Sequence, residues 1–243
     1  DPLLEDIARV NKMIKVIRSS NPRELYKSSL LLSEYIRESV SEDRSSVWIA
    51  QRNGRTKNGI DMTEQGLLKM LDMSGKGDFV NDFKELSIVP VSISYEYEPC
   101  DFLKAKELYI TRRTKYKKSP GEDLNSILTG IMQFKGQIHI NFNEPVSIDE
   151  IEECSQREKN ERFKSLAEVI DKKISGGYKI WNSNRISYDI LKKKTKFSSY
   201  YTPQEKALFE DYCEFKLSDF EGDKQEIKDI FLSIYSNATL NCQ

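Results

Sequence analysis

Long apolar runs are missing from this sequence. No stretch approaches the roughly 18 consecutive apolar residues that span a bilayer, and the largest clusters, Leu30-Leu31-Leu32 and Ile88-Val89-Pro90-Val91, are the size of one secondary-structure element. A secretory leader is not expected either, because Asp1-Pro2-Leu3-Leu4-Glu5-Asp6 is acidic where a leader is basic. With no initiator methionine, the chain reads as a fragment or a processed product. Close cysteine pairs are also lacking. Cysteines 100, 154, 213 and 242 have no metal-ligand spacing, and four scattered thiols fit a reducing, cytoplasmic compartment better than a disulfide framework. Charge of one sign is absent: 38 Lys and Arg against 39 Asp and Glu leave a formal charge of -1. Nucleic acid is therefore not an expected partner, since neutralising a phosphate backbone needs a net basic face. Histidine is scarcest of all, with His139 alone. No repeat or low-complexity stretch occurs.

What is present suffices for a core: 243 residues, 38% hydrophobic. Leu4, Ile7 and Ala8 have helical spacing and open the chain in a short helix. Met13–Ile17 is rich in β-branched residues and predicts a strand. Ser20-Asn21-Pro22 starts a helix running to about Val40, with Leu25, Leu32 and Ile36 on one face. Ser46–Gln51 predicts a central strand, followed by a polar loop from Arg52 to Gly59. Thr63 is the expected N-cap of a helix carrying Leu67, Leu68, Met70 and Leu71, and a further helix covers Phe79 to Leu86. Ile88–Tyr97 is the strongest strand pattern, with Pro90 marking an edge or a bulge. Helices are predicted over Phe102–Tyr116 and Asp123–Gln133, then a strand over Gly136–Phe142. From Ile148 the pattern is nearly all helix, stopping at Ser175-Gly176-Gly177. Thr202-Pro203 starts a final helical pair expected to pack on the outside. Strands alternating with helices predict an α/β class: a mixed, mostly parallel sheet flanked by helices, with a helical C-terminal extension.

The segment Arg52-Asn53-Gly54-Arg55-Thr56-Lys57-Asn58-Gly59 combines three cationic side chains with two glycines after a strand-like run. Glycines let backbone N–H groups approach an anion. Arg55 suits bidentate contact with a phosphate, and Lys57 adds a point charge. A solvated basic turn fits the same residues, and the spacing is not that of a Walker A loop.

Taken with its neighbours, Trp48–Gly59 resembles the third sequence block of the glycerol-phosphate and lysophosphatidate acyltransferase superfamily, a strand ending in a glycine turn followed by basic and hydroxyl residues. Val89-Pro90-Val91-Ser92-Ile93 resembles the fourth block, and Ile14-Lys15-Val16-Ile17-Arg18 the second. The three stand in the family's order. The resemblance implies an acyltransferase-like α/β domain over 1–147, as the C-terminal portion of that domain, and a helical extension over 148–243. It implies transfer of a fatty acyl group from acyl-CoA or acyl-carrier protein to a glycerophosphate-type acceptor. No cofactor beyond the donor substrate and no metal are implied, and contact with the inner face of the membrane would be peripheral. Arg18, Arg52, Asn53, Gly54, Arg55 and Lys57 would form the acceptor site, with Pro90 shaping the neighbouring strand. The family's His-x-x-x-x-Asp block, whose histidine deprotonates the acceptor hydroxyl, does not occur in this chain. An upstream region of a parent protein is expected to supply it. Asn53, or Arg52 in a register shifted by one residue, stands where the family has glutamate, so an alternative is a degenerate domain that binds a phosphorylated lipid or acyl carrier without turnover.

Other features read more plainly. His139 is expected to be a strand residue with no catalytic role. Glu96, Glu98 and Asp101 at a strand end are expected to be solvated acids. Arg112-Arg113-Thr114-Lys115-Tyr116-Lys117-Lys118 fits either contact with anionic lipid headgroups or a helix terminus complementing its own dipole; Leu191–Lys196 offers the same choice. Ser119, Ser126 and the cysteines have no base nearby in sequence, so no nucleophile is assigned. Oligomeric state is left open.

Overall fold

The structure, a computed structural model, describes residues 6, 8–14, 16–17, 20–52, 54 and 56–241, the side chain of Asn241 excepted. Eleven helices and two strands are defined among them: α1 (Pro22–Ser41), α2 (Gln65–Asp72), α3 (Phe79–Leu86), β1 (Val91–Tyr95), α4 (Asp101–Thr111), α5 (Glu122–Met132), β2 (Ile138–Phe142), α6 (Ile148–Ser155), α7 (Glu161–Gly176), α8 (Asn182–Lys192), α9 (Pro203–Leu217), α10 (Lys224–Ser236) and α11 (Ala238–Asn241). Local sequence explains most boundaries. Asn21 accepts from the Arg23 N–H ahead of Pro22, and Ser147 with Glu150 and Thr202 with Glu205 form reciprocal capping boxes.

The chain divides into two compact units. Unit 1 comprises 1–52, 63–88 and 146–168; unit 2 comprises 53–62, 89–145 and 169–243. In unit 1, α1, α2 and α3 pack together and α6 lies on α3. Phe79, Phe83 and Phe163 form its aromatic centre, with ring centroids 4.7 to 6.2 Å apart. The buried Arg37 binds the carbonyls of Leu71 and Asp82 and the Glu85 carboxylate, which fastens α1 to α2 and α3. In unit 2 the core is built around α10, which packs against α4, α8 and α9. Ile227, Ile230, Phe231, Leu232, Ile234 and Tyr235 are all buried there. The final helical pair was expected on the outside; α10 is instead the most enclosed helix of its unit. Leu232 extends the stripe formed by Ile227, Ile230, Phe231, Ile234 and Tyr235, and apolar groups spread around a helix demand cover on several sides.

The expected mixed, mostly parallel sheet is not formed. The described residues are 56% helix and 4% strand, and among them the only sheet is the antiparallel pair β1–β2, with Val91 opposite Phe142 and Tyr95 opposite Ile138. The strands expected at Met13–Ile17 and Ser46–Gln51 are absent: residues 13, 14, 16 and 17 and residues 46–51 lie in non-strand conformations. Val16, Ile17, Trp48 and Ile49 are exposed. Strand composition measures fit to a pleated, half-buried surface; without a hydrogen-bonding neighbour it does not produce a strand. Thr63 is not the N-cap either. Glu64 holds that position without a side-chain bond, while the Thr63 hydroxyl donates to Gln51.

The β1–β2 ladder buries its polar side. Ser92 and Ser94 are fully enclosed, and the Ser92 hydroxyl donates to the Ile174 carbonyl at 2.6 Å. Asn143 donates to Ser92 and to the Pro90 carbonyl. The small Ser92 side chain, bonded to the end of α7, lets that helix lie close against the strands, whereas Ile138, Ile140 and Phe142 face outward and are exposed.

Candidate functional site

The glycine-bearing loop singled out by its composition rests, within unit 2, on α4 and α10. Gly59 has φ +75°, and a Cβ there would lie 2.2 Å from the Ile234 carbonyl oxygen, so this position requires glycine. Beside it the Asn58 carbonyl accepts from the Asn237 amide at 2.8 Å, and the Asn58 side chain accepts from the Ile60 N–H. Thr56 donates to Asp61, closing the loop on itself. Lys57 forms an ion pair with Glu107 of α4. The base of the loop is therefore fixed, while Gly54, with φ +78° and open space around it, is exposed.

The predicted site residues do not all come together. Gly54 and Lys57 share this loop. Arg52 belongs to unit 1, half-buried, and its Nε has no hydrogen-bond partner among the described residues. Arg18, Asn53 and Arg55 lie outside the described residues. Sequence reasoning missed Glu107 as the partner of Lys57; no spacing rule links positions 50 residues apart.

Beneath the loop the two supporting helices are joined through a buried carboxylate. Asp101, at the start of α4, is fully enclosed and not solvated as expected. Its Oδ2 accepts from the hydroxyls of Tyr212 at 2.6 Å and Tyr235 at 2.8 Å. Its Oδ1 accepts from the Phe102 N–H at 2.7 Å and lies 3.4 Å from the Lys216 ammonium. Burial raises the Asp101 pKa above its ordinary value, against the opposing pull of Tyr212, Lys216 and Tyr235. Burial likewise drives the Tyr212 and Tyr235 hydroxyls up, with the Asp101 charge adding to it, and pushes the Cys213 thiol up to about 12. Every polar group of this node is engaged, which marks it as a joint between α4, α9 and α10. A tyrosine and a carboxylate more than a hundred residues apart leave no local pattern to recognise. Glu98, by contrast, pairs with Lys104 at 3.1 Å, and Glu96 accepts from the Gln137 N–H.

A second buried carboxylate, Asp189 of α8, accepts through Oδ2 from the Phe197 N–H and the Tyr201 hydroxyl, both at 2.9 Å. Burial first, and then that bond, push Tyr201 up to about 12. Lys196, from the second basic run, sits over the rings of Tyr188 and Phe197. His139 stands on β2 opposite Ser94, half-buried. Cys100, Cys154 and Cys213 are buried, which keeps them from acting as accessible nucleophiles.

Among the described residues of the loop, Lys57 is the cation and is paired with Glu107, and a second carboxylate, Asp61, stands beside it on Thr56. No helix among the described residues is long and apolar enough to cross a membrane. No protein-family model, no curated protein and no solved structure matches the chain.

Proposed function

We propose that this chain forms the acceptor-binding part of an acyltransferase that moves a fatty acyl group from acyl-CoA or acyl-carrier protein to a glycerophosphate-type hydroxyl. The observation that carries it is the ordered series Ile14–Arg18, Trp48–Gly59 and Val89–Ile93, whose middle member is a cationic turn with two glycines. The seating of that turn supports it: Lys57, Asn58 and Gly59 hold the base while Gly54 stays open. The sequence has no His-x-x-x-x-Asp pair, so this reading gives the chain acceptor recognition. Proton removal from the hydroxyl, its attack on the thioester carbonyl and departure of the thiol then belong to residues outside these 243. The work is placed at the cytoplasmic face of a membrane, in peripheral contact.

A second reading, binding without turnover, is favoured by the Lys57–Glu107 ion pair, which a phosphate would have to share, and by Asn53 in place of an acid. Thiol release from acyl-CoA in the presence of glycerol 3-phosphate separates the two; the second predicts none from any polypeptide carrying this sequence. The acceptor site itself is tested by calorimetric titration with glycerol 3-phosphate. Replacing Arg55 by Ala lowers affinity by about tenfold, the loss of one charge-assisted contact. Glu107→Gln raises it a few-fold by removing a negative charge beside Lys57. The exposed Arg157→Ala is without effect. Equal affinity for Arg55→Ala and the parent chain would overturn the assignment.

A further inference from the structure

The helix α5 carries its apolar side on the surface. Leu124, Ile127, Leu128, Ile131 and Met132 follow helical spacing at 36%, 50%, 47%, 68% and 79% exposure, and Phe134 continues the patch at 66%. Such a stripe on a helix normally faces a core; here it lies open over a segment that begins and ends in lysine. Between residues 112 and 135 the sequence has six cations and two carboxylates. Both carboxylates are engaged locally. Glu122 accepts from the Ser119 N–H at 3.0 Å and is held by Tyr116, while Asp123 pairs with Lys118 at 2.5 Å. Arg112 and Arg113 are drawn back onto Glu226 of α10, with Arg113 stacked on Tyr109. Lys115 and Lys117 remain, exposed and without a partner among the described residues. Lys135 turns its ammonium onto the Ile131 and Gln133 carbonyls, capping the far end.

We infer that the exposed face of α5, flanked by Lys115 and Lys117, is a docking surface for an anionic phospholipid bilayer, on which the helix lies in the plane of the headgroups. An apolar stripe bordered by lysines is the composition that partitions into such an interface, because the side chains enter the acyl boundary while the ammonium groups stay among the phosphates. Lysine stems also reach from apolar surface to the headgroup level. Charge decides for this occupant over a protein groove: the charged groups left unpaired between residues 112 and 135, Lys115 and Lys117, are of one sign. The inference deepens the membrane-contact part of the function proposed above, and its test does not involve phosphate binding, so one can fail without the other.

The test is cosedimentation with vesicles of phosphatidylcholine and phosphatidylglycerol at about 7:3, against phosphatidylcholine alone. The chain binds the mixed vesicles and releases as salt rises. Lys115→Glu with Lys117→Glu lowers partition by about fivefold or more per residue, and Ile131→Glu by at least about tenfold. Phe215→Glu on α9, an apolar residue equally open to solvent at 75% exposure, leaves partition unchanged. Lys115, Lys117 and Ile131 are all on the surface, and unchanged circular dichroism confirms that the variants fold. Three results would overturn the inference: no binding to the mixed vesicles, equal loss from Phe215→Glu and Ile131→Glu, or concentration-dependent self-association that Ile131→Glu abolishes without any vesicle binding, which would put a second copy of the chain on this face.

Discussion

At the scale of single residues, two positions hold the candidate site in place for different physical reasons. Gly59 combines a positive φ with a backbone neighbour 2.2 Å from where a Cβ would sit, whereas Gly54 has a similar φ and empty space. Alanine at Gly54 therefore costs about 1 kcal/mol of conformational strain, and alanine at Gly59 at least about 2 kcal/mol, because α10 must also move. Urea denaturation of the two variants measures the difference; equal losses would show that the loop does not rest on Ile234. Asp101 acts through charge. Its folded pKa is raised above the ordinary 3.8, so its contribution to stability is fully present below that value and is lost as pH rises through the folded pKa. Asp101→Asn flattens this slope between the two values. Asp101→Ala, which leaves two tyrosine hydroxyls and an ammonium facing no acceptor, costs about 3 kcal/mol. A variant whose unfolding midpoint keeps the parent's pH dependence would contradict the role given to this carboxylate.

At the scale of elements, two helix starts were legible because capping is local: Asn21-Pro22 and Thr202-Pro203 mark real boundaries, whereas Thr63 yields the cap position to Glu64. The β1 and β2 segments were legible from alternation. Partner identity was not legible. Ser46–Gln51 has the residues of a strand, yet strand formation depends on a neighbour that composition cannot name. The enclosure of α10 was hidden for the same reason, since the stripe Ile227–Tyr235 states that a helix is amphipathic and not how many neighbours will cover it. Of the candidate site, the glycine turn was visible in the sequence, while Glu107 and the Asp101 joint arise from contacts 50 and more residues apart. The element account predicts that Phe231→Ala, at a fully buried position, costs about 3–5 kcal/mol, while Phe215→Ala on the exposed side of α9 stays within about 0.5 kcal/mol. Thermal unfolding checks the pair, and comparable losses would mean that α10 is not the centre of unit 2.

For the whole molecule, the near-zero formal charge conceals an uneven distribution. Cations gather in the loop at 52–57 and in the segment before α5, while acids such as Glu107 and Glu226 take up part of each cluster. That balance argues for local anion contacts over bulk attraction to a polyanion. The central claim is that the turn around Gly54 receives a phosphate. Backbone amide shifts followed by NMR during titration with glycerol 3-phosphate address it most directly. Saturable shifts concentrated at Gly54, Thr56, Lys57 and Gly59, lost on Arg55→Ala, are the predicted result. Saturable shifts confined to other parts of the chain, or none at all at millimolar ligand, would contradict it.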